Sequence, residues 1–77
     1  MEIILAKNAV KALEKINQQD KKRIKSAIYK IPLGDIKKLK NIVPAYRLRV
    51  GNWRILFDMS DIIEIQEILP RGSAYKN

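Results

Sequence analysis

Residues 46–57, Tyr-Arg-Leu-Arg-Val-Gly-Asn-Trp-Arg-Ile-Leu-Phe, read as two alternating segments joined by Gly51-Asn52. A two-residue Gly-containing loop is a strong short-range hairpin signal, and it fixes the register of the strands it joins. Val50 then pairs with Trp53, Arg49 with Arg54, Leu48 with Ile55, and Tyr46 with Phe57. Side chains alternate across a sheet, so Tyr46, Leu48, Val50, Trp53, Ile55 and Phe57 share one face. Arg47, Arg49 and Arg54 share the other. Like charges opposed on a sheet are destabilising. Three arginines on one small face are therefore either a site for an anion, with guanidinium forks matched to phosphate oxygens, or a solvated outer face of a basic domain.

The rest of the chain supplies a sheet and a cover for this hairpin. Ile3-Ile4-Leu5 is a short strand. Asn8 is placed to cap a helix over roughly residues 9–18, with Val10, Leu13 and Ile16 as its apolar stripe. Asp20 is placed to cap a second over roughly residues 21–31, with Ile24, Ala27, Ile28 and Ile31 inward and Pro32 and Gly34 as the stop. The short gap at Gln18-Gln19 predicts an antiparallel helical hairpin. Residues 32–44 read as a basic connector carrying Lys37, Lys38 and Lys40 and ending at Pro44. A last strand runs from Ile62 to Leu69 with Ile63, Ile65 and Leu69 inward, which requires an odd-length loop such as Met59-Ser60-Asp61. The order β-α-α-β-β-β predicts an α+β fold. A helical hairpin packs on one face of a mostly antiparallel sheet and leaves the arginine face open.

Size and composition narrow the function. With 77 residues the chain is expected to be a single domain spanning 1–77, small enough that a stabilising partner is unsurprising. No apolar run approaches the roughly 20 residues of a membrane span, and the first residues lack a signal peptide's basic start and apolar stretch, so a cytoplasmic location is expected. Cysteine and histidine are both absent, which excludes disulfides, thiolate chemistry and an imidazole base. The net charge is +8. Residues 1–40 hold ten lysines and only Arg23, whereas residues 41–77 hold four arginines and only Lys76. The lysine-rich half has the character of solvated helix surface, and Lys21-Lys22-Arg23 is a solvated helix start or a contact to RNA. The arginine-rich half has the character of a surface where hydrogen-bond geometry matters. The positive field favours nucleic acid or an acidic protein segment. Asp58, Asp61, Glu64 and Glu67 recur every third residue on a turn and strand, so they alternate faces and do not converge on a cation. No metal and no cofactor is expected.

These residues resemble the RelE/ParE superfamily of type II toxin–antitoxin toxins. The matching pieces are Lys37-Lys38-Leu39-Lys40, the segment Tyr46 to Phe57, and the tail Arg71-Gly72-Ser73-Ala74-Tyr75-Lys76. The family often shows Y-R-L-R-x-G-x-x-R-x-x-F in its middle strands and R-x-x-x-Y near its end. In the RelE branch, the resemblance implies a ribosome-dependent endoribonuclease acting on messenger RNA, with a cognate antitoxin as partner in a hetero-oligomer. In the ParE branch, it implies a non-enzymatic inhibitor of DNA gyrase. A third reading is a degenerate toxin fold that only binds nucleic acid. Carried over by position, Arg54, Arg71 and Tyr75 are the catalytic candidates, and Arg47, Arg49 and Lys76 the RNA-binding ones. The chain departs from members that carry lysines where it has Arg47 and Arg49, and arginine does not give up its proton. Lys76, Tyr75 and Tyr46 are left for proton transfer, Tyr46 on the core face by parity.

Overall fold

The computed structural model describes residues 2–71. Its elements are β1 (Glu2–Leu5), α1 (Lys7–Lys15), α2 (Gln18–Tyr29), β2 (Asp35–Lys38), β3 (Tyr46–Val50), β4 (Trp53–Met59) and β5 (Ile62–Pro70). The strands form one sheet in the order β1-β5-β4-β3-β2. β1 runs parallel to β5, and every other neighbour pair is antiparallel. The two helices supply one side of the core, so the architecture is the α+β arrangement of a helical hairpin on one face of a mostly antiparallel sheet. The expected connector carries one more strand, β2, at the sheet edge. Its only partly buried residue is Ile36, opposite Leu48, and Lys38 on the same face is exposed, so no apolar alternation marks it in the sequence.

The hairpin has the register its turn dictates. Tyr46 pairs with Phe57, Leu48 with Ile55, Arg49 with Arg54 and Val50 with Trp53. Gly51 sits at φ +57°, in the left-handed region that costs an L side chain about 1–2 kcal/mol. The core holds Leu13, Ile16, Ile24, Ile28 and Ile31 from the helical half, and Leu48, Ile55, Phe57, Ile63, Ile65 and Ile68 from the sheet. Tyr46 and Phe57 stack with ring centroids 5.4 Å apart. Trp53 packs at the core margin, as parity requires, and its Nε1 donates to Asp20 Oδ2 at 3.1 Å.

Four local expectations are corrected. Asn17, not Asp20, caps α2: its side chain accepts the Asp20 N–H at 2.8 Å, and the helix starts at Gln18. Asp20 lies in the first turn, where its carboxylate is free to take the indole N–H. Asn8 does not cap α1, which starts at Lys7 after Ala6. Its Nδ2 instead donates to Glu67 Oε2 at 2.9 Å. Ala9, one position earlier than the expected Val10, fills the helix–sheet space, and Val10 is exposed. Leu69 is not inward. Phe57 pairs with Ile65 but Leu56 with Glu67, so Gln66 is an extra residue in β5. This bulge shifts the parity, putting Ile68 in the core and Leu69 opposite Arg54 on the other face.

A candidate RNA-binding site on the open sheet face

The face away from the helices is read in rows across the sheet. One row is Lys37 on β2, Arg47 on β3, Leu56 on β4 and Glu67 on β5. The next is Asp35, Arg49, Arg54 and Leu69. Between these rows lies an open cavity of about 460 Å³ lined by Lys37, Leu39, Arg47, Arg49 and Arg54. The three arginines expected together are thus brought together. β2 adds Lys37, and the residue just after it adds Leu39, both expected in a connector. The signal that could have found them is the one inward apolar residue, Ile36, followed by two lysines and Leu39.

The arginines are not equivalent. Arg47 was expected as part of an exposed patch and is instead 6% exposed. Its Nη1 donates to the Asp35 carbonyl and to Asp35 Oδ1, both at 3.4 Å. A buried guanidinium needs such partners, because an unpaired buried charge is costly. Asp35 Oδ2 also lies 3.4 Å from Arg49 Nε, so one carboxylate ties both arginines of β3. Arg49 keeps about half of its side chain in solvent. Arg54 is half-buried, and its Nη1 is buried with no hydrogen-bond acceptor among the described residues. A charged donor in that state is the group on this face best prepared to meet an anion.

Arg71 follows β5, and its backbone N–H donates to the Asn52 carbonyl at 2.6 Å. That bond fixes it beside the Gly51-Asn52 turn, at one end of the sheet and outside the cavity lining. Tyr75 and Lys76 lie outside the described residues. Among the described residues no group of His, Cys, Asp and Glu is placed to hold a metal ion. Asp58 instead accepts the Ala45 N–H at 2.9 Å, and Glu67 accepts from Asn8. No described helix is long and apolar enough to cross a membrane.

No protein-family model matches the chain. A relative from Methanocaldococcus jannaschii, Toxin RelE3, is 36% identical over 97% of the chain and 96% of its own length. The chain belongs to the RelE toxin family. Two solved structures carry the RelE likeness into three dimensions. One is the RelB-RelE antitoxin-toxin complex from Methanococcus jannaschii, with a TM-score of 0.75 at 34% identity over 94% of both chains. The other is the archaeal RelE-RelB complex from Pyrococcus horikoshii OT3, with a TM-score of 0.75 at 25% identity over 95% of this chain and 97% of that one. The RelE fold is therefore the fold of this chain, and its open face carries the arginine cavity.

Proposed function

We propose that the chain is the toxin of a toxin–antitoxin pair and that it cuts messenger RNA on the ribosome, in the cytoplasm, without a metal ion. The observation that carries this reading is the buried Arg54 Nη1, without an acceptor among the described residues, at a cavity that Arg47, Arg49 and Lys37 also line. In metal-free RNA cleavage the 2′-oxygen attacks the neighbouring phosphorus, and negative charge builds on the phosphorane oxygens. Fixed guanidinium groups in a partly closed site stabilise that charge without reorganising, usually the largest catalytic contribution. Arg54 takes this role. Arg49, half in solvent, holds the backbone phosphate, and Arg47, braced by Asp35, holds the shape of the cavity wall and adds its charge. Arg71, held beside the Gly51-Asn52 turn outside the cavity lining, is assigned a second charge that meets the RNA from that end of the sheet, and Tyr75 is assigned stacking on a base, a contact worth about 1–3 kcal/mol. Lys76 adds a phosphate contact.

The partner is an antitoxin. The two similar structures are RelB–RelE complexes, and a chain of net charge +8 is complementary to an acidic, amphipathic segment laid over the sheet face or a helix groove. The experiment is induction of the chain in growing cells with transcript ends mapped before and after. Cuts confined to translated regions, and abolished by a block of translation initiation, are expected. Arg54→Ala should reduce them by about 10²–10³-fold, the usual loss for one electrostatic donor. Intact transcripts together with inhibited gyrase would replace this reading with the gyrase-directed one.

A further inference from the structure

Cleavage releases a 5′-oxygen that needs a proton, and the arginines of the cavity do not supply it. A guanidinium holds its proton far above neutral pH, so it stabilises charge but transfers no proton. β2 changes this inventory. Lys37 stands directly opposite Arg47 in the β2–β3 register and lines the cavity that Arg49 and Arg54 share. Lysine on an edge strand ordinarily serves to discourage pairing with a foreign strand. Lys38, opposite Tyr46, and Lys40 beyond the strand serve that purpose without facing an arginine. Like charges directly opposed destabilise a sheet, so protecting the edge gives no reason to put a lysine at position 37. Asp35, two residues earlier on the same face, is tied to Arg47 and Arg49. Among the described residues no carboxylate lies within salt-bridge distance of Lys37. Lys37 is exposed and lines the cavity, with no acid partner among the described residues.

We propose that Lys37 is the general acid of the cleavage, an assignment that rests on the endoribonuclease reading above. A 2′-oxygen lone pair forms the bond to phosphorus, and the 2′-hydroxyl proton leaves to solvent hydroxide. The bond from phosphorus to the 5′-oxygen breaks, its electron pair stays on that oxygen, and the Lys37 ammonium delivers a proton to it. The products are a 2′,3′-cyclic phosphate and a 5′-hydroxyl, and the neutral amine regains its proton from water. The chain thereby performs with a lysine on β2 a transfer that Arg47 and Arg49 on β3 cannot.

The test uses the purified full chain, programmed ribosomes, and two messages differing at the bond the wild-type protein cuts. One carries the normal 5′-oxygen, the other a 5′-bridging sulfur, which departs as a thiolate and needs no proton. Lys37→Arg keeps the charge and removes the transferable proton. It is expected to bind programmed ribosomes as the wild type does. It should cut the oxygen message about 10²–10⁴-fold more slowly and the sulfur message at the wild-type rate. Lys38→Arg should match the wild type on both. Equal rates for Lys37→Arg and wild type on the oxygen message, or equal losses on both messages, would overturn the assignment while leaving the endoribonuclease reading standing. A wild-type protein that cuts neither message removes both.

Discussion

Trp53 and Asp20 are thirty-three residues apart, and one hydrogen bond joins the sheet hairpin to the first turn of α2 through them. The indole N–H is the first cause that holds the Asp20 carboxyl below its ordinary 3.8, with the Asn17 side chain second; burial opposes them, and the Arg23 charge contributes least. A carboxyl held low in the folded state stabilises the fold at pH values above its unfolded range. That contribution is lost as pH falls through 3.8 towards the lowered value. Trp53→Phe should therefore unfold at lower urea than wild type at pH 7, and the gap should narrow as the pH is brought below 3.8. Circular dichroism reads both, since the variant lacks the chain's single tryptophan. A gap that widens on acidification would assign the wrong sign to this bond. Parity alone put Trp53 beside the core. The partner of its N–H was not legible, because Asn17 and Asp20 are both good caps and only the helix start at Gln18 decides which of them is free.

At the level of elements, legibility follows how tightly a local rule binds the chain. Gly51-Asn52 leaves one register, and the neighbouring pairs obey it. Gly51→Ala should cost about 1–2 kcal/mol for its backbone angle. Its new methyl also meets the Arg23 guanidinium, which lies 3.1 Å from the Cβ position. Thermal unfolding measures the sum, and an unchanged midpoint would place the turn in another conformation. The β5 bulge has no such mark: Gln66 is an ordinary strand residue, and neither Gly nor Pro flags it. Its consequence is nonetheless sharp. Ile68 is 2% exposed and belongs to the core, whereas Leu69 faces Arg54. Ile68→Ala should cost about 2–5 kcal/mol, and Leu69→Ala clearly less. Denaturant midpoints of the two variants decide it, and the reverse order would restore the uninterrupted alternation. β2 was illegible for a different reason. An edge strand with one half-buried side chain has no periodicity to detect, although it brings Lys37 to the cavity and Leu39 follows it there.

Over the whole molecule, charge type separates by element. Ten lysines precede residue 41, most of them on the helices and in the β2 segment, while four arginines belong to the sheet half. Arg23 breaks the pattern by lying against the Gly51 turn. There it lines, with Lys22, Lys30 and Arg49, a groove of about 600 Å³ beside α2. Arg49 lines both this groove and the cavity on the open face, so one arginine borders both basic concavities. Binding of RNA across them should weaken steeply with salt, because each neutralised phosphate releases a counterion. Arg49→Ala should flatten that slope by roughly one unit, read by fluorescence titration of a short single-stranded RNA at several salt concentrations. An unaltered slope would take Arg49 off the RNA path. The most direct measurement is made with purified chain, programmed ribosomes and end-labelled message, with and without Arg54→Ala. A discrete cut in the message is expected, appearing only when ribosomes are present and fading with the substitution. A message left whole by the wild-type chain would contradict the endoribonuclease reading, as would one cut equally well by Arg54→Ala.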